Sequence, residues 1–596
     1  MFTFSLIFII LQIINIIKLK SEIIDISEYE YPSPTQESED EYNIAIFGTC
    51  DIHGYYYPIK RNIEELNISY TQGGLEYMGK YISIIREKWK ERFLWFDAGD
   101  QFEGGYENTL SNGTIIPDFF NIMNLSSCTI GNHDWDFGND YLRKIMNYSN
   151  YSYIISNIQE ISTRKKEFFP KQVRYKILNA GKIKVGVIGL AKNTKSYSSL
   201  VNLTDIDFLD YIKTIKEISN ILRNKTDVII LISHFGMECP NQNETERYTL
   251  QMINSTMNFT KCSTNSDLYI LLKNLPKDLI DIVISGHTHY TVHQWFFNYP
   301  VISTDKNGVF ANIIYLTFKK NTNGSYQYIS NKTLIEGPLP ICEKVFDKKL
   351  NCRKVKAKDI EKSGNLVNYK FHNVLIEKEK KLENLSKKWE SQLEKDRNDI
   401  LTEIDKQLSF NKKKESYLNN LITDIIREKT KCDISLINAN NFRSNLQKGN
   451  ISAADIYYLY PFKINIVSFE MSGFEVKKML KIIQTGSSYY ATSGIKQLIY
   501  INNKTKEKKL INILLFDGLY EREIENNKIY KIGTSDFLIP FGFYEFKNVI
   551  SWYKIRNLKY YGDSREIFIS YLRNIPKIFT HKLMDEKNPR LRIIYE

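Results

Sequence analysis

Five short polar blocks, each set directly behind an apolar, β-branched run, constrain this chain more than any other feature. NIAIFGT (43–49) runs into a block carrying Asp51 and His53, and RFLWFDAG (92–99) into one carrying Asp100. SSCTIG (126–131) leads to Asn132, His133 and Asp136, DVIILIS (227–233) to His234, and DIVISG (281–286) to His287 and His289. Runs of this kind read as buried strands. Their C-terminal ends are where open α/β sheets place ligand sites. The chain has only 8 histidines in 596 residues, so five of them at such positions is not a scatter.

Taken singly, each residue has an ordinary structural use: Asp100 could cap a helix and Asn132 could sit in a turn. Taken together, imidazoles, carboxylates and an amide are the donors of a transition-metal site for zinc, manganese, iron or cobalt; an oxygen-only magnesium cage would use no histidine. The alternating spacing in D-x-H and H-x-H lets each block send two side chains from one edge of an extended turn.

The segments between the strands, such as 74–91 and 210–224, have helical period, which predicts an α/β core with helices packed outside sheets. Gly364 to Gly449 encloses no glycine or proline. Across it Leu375, Leu382, Leu385, Trp389, Leu393, Ile400, Ile404 and Leu408 recur at helical spacing, predicting one long amphipathic helix within a charged linker at 346–408. Strands resume at 433–439, 465–471, 497–503 and 512–518. The expected divisions are therefore a first domain at 42–345, the linker, and a second domain at 409–596.

Residues 2–17 form one uncharged apolar run, too short for an ordinary span of roughly 20 residues, and are expected to be a signal peptide within 1–20, with a signal anchor as the alternative. An acidic tether at 21–41 follows. The expected location is extracellular or the secretory lumen, with no stable membrane anchor unless the leader is retained. Seven cysteines leave the pairing open, although Cys239 with Cys262 and Cys342 with Cys352 are close enough to close short loops. The net charge of +12 is spread over the chain without an Arg-rich face, so no nucleic-acid partner is expected.

The blocks DIHG, GDQFEG, GNHDWDFG, SHFG and SGHTH, in that order, resemble the secreted 5′-nucleotidase family, which includes ecto-5′-nucleotidases, UDP-sugar hydrolases and salivary apyrases. The resemblance spans roughly 43–575. It implies a four-layer metallophosphoesterase sandwich with helices outside two sheets, a linker helix, and a second α/β domain that binds substrate. It implies two divalent cations, one held by Asp51, His53 and His289, the other by Asn132, His234 and His287, with Asp100 bridging. His133 and Asp136 match the family's catalytic pair.

In the second domain the resemblance matches Asn438 and Arg443 to the family's substrate-binding Asn and Arg, the planar fork of Arg443 suiting a pair of phosphate oxygens, and Phe462 and Phe537 to the pair that stacks on a base. Lys412 stands where the family has an arginine, a point charge in place of a planar fork. The aspartate-bearing block that holds ribose is replaced by IPFGFYEF (539–546). The expected activity is removal of the terminal phosphate of a nucleotide. An apyrase, a UDP-sugar hydrolase and a 2′,3′-cyclic phosphodiesterase with 3′-nucleotidase activity are the alternatives within the family, and a degenerate phosphatase fold used for binding is the non-enzyme alternative. No other catalytic motif is present.

Overall fold

The computed structural model describes residues 40–595 and 32–34, apart from 103–105, 194–202, 204, 243–247, 249, 256–260, 463, 486–488, 506 and 539–554. The expected signal segment at 1–20 lies outside the described residues, as does most of the tether. Among the described residues no helix is long and apolar enough to cross a membrane.

The first half is built on two facing sheets. One runs in the order Gln251–Ile253, Leu334–Pro340, Phe310–Lys320, Glu41–Thr49, Phe93–Asp97, Ser127–Cys128, Ser152–Ile154 and Gln172–Val173, with Tyr326–Tyr328 paired beside Phe310–Lys320. From Glu41–Thr49 onward its pairings are parallel. The other runs Val292–Phe296, Tyr299–Ser303, Ile282–Ser285, Val228–Ser233, Ile183–Leu190 and Tyr175–Ala180, parallel through its centre.

Strand alternation sorts the side chains into layers. Ile44, Ile46, Leu94 and Phe96 of the first sheet pack against Val185, Val187, Ile230, Ile232 and Ile284 of the second. On the opposite face of the first sheet, Phe47 and Trp95 meet Tyr81 and Ile85 of the helix Leu75–Trp89. On the far face of the second, Ile229, Leu231 and Val283 meet the helices Tyr211–Leu222 and Asp267–Asn274. Both faces of each sheet are covered, so the central strands read as continuous apolar runs. The α/β four-layer sandwich is the observed architecture.

The parallel register pairs Thr49 with Asp97, and the chain continues that pairing beyond the strands. The amide of Asp51 donates to Gly99 O, that of His53 to Asp100 O and that of Gly54 to Gln101 O, each at 2.9 Å. Two of the polar blocks are thereby zipped together.

The second half is also α/β. Its main sheet runs Tyr490–Ser493, Ile434–Asn438, Ile529–Ser535, Asn465–Ser472 and Arg556–Asp563. Separate hydrophobic cores lie around the helices Tyr417–Thr430 and Gly473–Thr485. Cys239–Cys262 and Cys342–Cys352 are disulfides, and Cys50, Cys128 and Cys432 are buried thiols.

The linker departs from expectation. Its helix spans Lys380–Arg397, not the whole of 375–408. Leu375 belongs to a small hairpin, and Ile400–Ile404 is a strand that pairs with Gly449–Ser452 and Lys577–Ile578 of the second half. A spacing of four is even, so it satisfies the two-residue period of a strand as well as the helical one; the partners decided between them. Nor is the helix only a solvated spacer. Leu382 and Leu393 are buried, and Leu382 sits where a Cβ at Gly79 would come within 2.1 Å of its Cδ1, so the glycine allows the two helices to close.

Leu382→Ala should therefore destabilise the first half by about 2–5 kcal/mol through the cavity it leaves, read as a lower urea midpoint. A free spacer would leave the unfolding curve in place.

Candidate metal centre

The five polar blocks meet at the C-terminal edges of the facing sheets. Asp51, His53, Asp100 and Asn132 arrive from the first sheet, and His234 and His287 follow the strands Val228–Ser233 and Ile282–Ser285 of the second. They form two groups able to hold a cation, Asp51 with His53 and His289, and Asp100 with His234 and His287.

In the first group Asp51 Oδ1 lies 3.4 Å from His289 Nε2 and 3.7 Å from His53 Nε2, and the two imidazole nitrogens stand 3.1 Å apart. In the second, Asp100 Oδ2 lies 2.9 Å from His234 Nε2. Both of those atoms are buried, and neither has a hydrogen-bond partner beyond this ion pair. In each group the ligand atoms lie within 4.8 Å of one another, a convergence that fits a shared cation. Asn132 joins the second group, its Oδ1 2.7 Å from His287 Nδ1. Asp100 Oδ2 is also 3.9 Å from His53 Nε2, which puts one carboxylate between the groups.

The backbone carries strain here. Asp51, His53, Asp100, His287 and His289 have φ of 54°, 52°, 56°, 83° and 57°. Left-handed backbone at a residue with a side chain costs on the order of 1–3 kcal/mol and persists where surroundings over-determine it, commonly at functional sites. Five such residues within one cluster is a signature that no sequence pattern displays.

Two acids beneath the cluster supply the over-determination. Asp134, 1% exposed, accepts the amides of Asp100 (2.9 Å), Gln101 (2.8 Å), Phe102 (3.2 Å) and Gly131 (2.8 Å), stitching the Asp100 loop to the Asn132 loop. A Cβ on Gly131 would fall 2.0 Å from Asp100 Oδ1, so these loops approach too closely for any side chain. Asp97 accepts from the Thr49 hydroxyl at 2.7 Å, the Gly99 amide at 3.0 Å and Gln101 Nε2 at 2.8 Å. Burial pushes Asp97 up to about 7, and burial with the neighbouring Asp100 charge pushes Asp134 up to about 6. Asp134 stands inside the GNHDWDFG block, yet the motif alone gives it no role; its one signal in the sequence is its place between Asn132 and Asp136.

Burial also acts to raise Asp51 and Asp100, but the surrounding imidazoles outweigh it and hold both well below the ordinary carboxylate range. Burial alone would lower His234; the Asp100 carboxylate reverses this and raises it to about 9. Burial, His234 and Lys192 push His287 down to about 3. Lys192, another residue that no motif singles out, places Nζ 2.7 Å from His287 Nε2 and 2.7 Å from Asp267 Oδ2.

His133 stands at the rim. Its Nδ1 lies 2.7 Å from Asp136 Oδ2, its amide donates to Asp100 Oδ1 at 2.8 Å, and its ring centroid is 5.5 Å from that of His53. Across from it is the second half of the chain. Phe462 packs 5.9 Å from the His133 ring, and the Arg443 guanidinium carbon lies 4.5 Å from the Phe462 centroid. Lys412 lies near Arg443 and near Lys306 of the first half; burial first, then those two charges, lower its pKa.

Asn438 has both polar ends of its side chain engaged within the second half. It caps a 3-10 turn, accepting from the Asn440 amide at 2.9 Å while its Nδ2 faces Tyr490 Oη at 3.4 Å, and it is 3% exposed. Phe537 lies on the turn Asp536–Leu538; its side chain, and the segment 539–546, lie outside the described residues.

Comparison with known proteins agrees with this geometry. The calcineurin-like phosphoesterase family matches residues 44–291, and the 5′-nucleotidase C-terminal domain matches 399–546. A 5′-nucleotidase-related protein of Glossina morsitans morsitans is 21% identical over 553 residues, covering 84% of this chain and 87% of that one. The NAD 5′-nucleotidase of Haemophilus influenzae is 21% identical over 583 residues, covering 89% and 90%. The crystal structure of a 5′-nucleotidase precursor from Thermus thermophilus superimposes with a TM-score of 0.65 at 16% identity, covering 93% of this chain and 99% of that one, and so shares its fold. The chain belongs to the 5′-nucleotidase family of metal-dependent phosphoesterases, a calcineurin-like phosphoesterase domain joined to a 5′-nucleotidase C-terminal domain.

Proposed function

We propose that this protein is a secreted dinuclear-metal phosphohydrolase that removes the terminal phosphate of nucleotides. The observation that carries the reading is Asp100, a buried carboxylate that belongs to one three-residue ligand group and reaches within 3.9 Å of His53 in the other, with the His133–Asp136 pair at their rim. One cation would be held by Asp51, His53 and His289, the other by Asn132, His234 and His287, with Asp100 shared. Zinc, manganese, iron and cobalt all suit this donor set. Such cations neutralise charge on a phosphoryl group and acidify an attacking water.

The chain's own residues do the rest. Asp136 holds the His133 ring through Nδ1, and the positioned imidazole would give a proton to the departing oxygen. Asp134 and Asp97 fix the ligand loops so that little reorganisation is needed on binding. Phe462 offers a face for a base, and Arg443 a planar donor pair for phosphate oxygens.

One observation favours a second reading, a substrate with more than one phosphate. Lys306, Lys412 and Arg443 crowd positive charge beside the centre, and Lys306 also acts on His289. Cations gathered beside such a centre suit a polyanionic chain.

Phosphate release from AMP, ADP and ATP, and hydrolysis of UDP-glucose or 2′,3′-cyclic AMP if they are turned over, should depend on added Mn²⁺ or Zn²⁺ and disappear with Asp100→Asn; turnover that survives chelation would overturn the reading. His133→Ala should lose roughly 10²–10⁴-fold in rate, typical of a positioned acid, with metal content by elemental analysis unchanged. Asp134→Asn should weaken metal affinity by roughly 10–100-fold, the usual effect of losing a group that orients the ligands, as measured by titration calorimetry.

A further inference from the structure

Glu107 is completely buried, in the short helix Tyr106–Leu110 of the first half. Its Oε1 accepts from Arg397 Nη2 at 2.6 Å and from the hydroxyl of Tyr458. Arg397 is the last residue of the linker helix, and Tyr458 lies in the helix Ala453–Leu459 of the second half. One carboxylate oxygen therefore ties together three regions of the chain. A charge so buried persists only when paired, and removing a partner is costly. Burial and the adjacent carboxylate push the Tyr458 hydroxyl well above its ordinary range, so it stays a donor. Aromatic contacts flank the tie: Tyr57 meets Tyr458 edge-on at 6.4 Å, and Tyr106 meets Tyr457 at 5.0 Å.

What hangs from Tyr458 is the substrate face. The carbonyl of the next residue, Leu459, accepts the Arg443 amide at 2.9 Å. Phe462 follows four residues after Tyr458, with its ring against His133 and beneath Arg443. A displacement of Tyr458 would carry Arg443 and Phe462 with it. The proposed ligands all come from the first half and would stay in place.

We infer that Glu107 is a positioning residue, an interdomain lock that acts through Tyr458 to hold Arg443 and Phe462 over the centre, and so governs capture of a nucleotide but not of a small phosphate ester. The inference rests on the hydrolase reading above. The lock explains why a short helix beside the ligand loops buries an acid that serves neither the cations nor the His133–Asp136 pair. It also assigns the linker a role at its C-terminal end, since Arg397 is held by the same oxygen.

The test compares wild type, Tyr458→Phe and Glu107→Gln as full-length, metal-loaded proteins, using AMP, ADP and ATP beside p-nitrophenyl phosphate, with X-ray scattering on each. Loss of a hydrogen bond to a charged group should raise KM for the nucleotide roughly tenfold, while kcat/KM for p-nitrophenyl phosphate stays within about twofold of wild type. Tyr458→Phe keeps the Glu107–Arg397 pair, so it reports even if Glu107→Gln fails to fold. Equal loss on both substrate classes, or no loss on either, would overturn the lock. If wild type turns over neither class, the hydrolase reading fails by itself. The lock is then decided by scattering: a larger radius of gyration in Tyr458→Phe supports it, and an unchanged one overturns it.

Discussion

Everything around the centre depends on holding one carboxylate, Asp100, inside a crowd of imidazoles. Its Oδ1 accepts the His133 amide, and its Oδ2 faces His234 at 2.9 Å and His53 at 3.9 Å. An anion this deeply buried is tolerable only beside positive charge. The fold keeps it there by accepting left-handed backbone at Asp100 itself and at four neighbouring residues, and by pinning the loops from below through Asp134 and Asp97. The sandwich supplies the rigidity this requires: parallel strands in two facing sheets end at one edge, and their loops cannot spread without breaking the ladder that runs on from Thr49 and Asp97.

The two halves contribute different things. The first brings every proposed ligand and the His133–Asp136 pair. The second brings an aromatic face and a cationic rim, and reaches the first through contacts such as His133 with Phe462 and Glu107 with Tyr458. The linker helix joins them while remaining part of the first core through Leu382. Under the proposed function, chemistry and substrate choice would be carried by separate bodies, so that one centre could serve different substrates when the second body changes.

Much of the first half was legible in the amino-acid sequence, because strands covered on both faces appear as unbroken apolar runs and the polar blocks interrupt them at their ends. The linker was less so: Ile400 and Ile404 fit a helix and a strand equally, and only pairing with Gly449–Ser452 distinguishes the two. Lys192 and Glu107 were not legible, and Asp134 only as the acid between Asn132 and Asp136, since their contacts run to backbone amides and to residues far away in the chain. The capping contact of Asn438 with the Asn440 amide likewise comes from the local backbone and not from the motif. Left-handed backbone at aspartate and histidine leaves no mark on composition or spacing.

The most direct test of the account is an anomalous difference map from crystals of the protein grown with Mn²⁺. The account predicts two peaks flanking Asp100, one against Asp51, His53 and His289 and the other against Asn132, His234 and His287. A single peak, or peaks remote from Asp100, would contradict it.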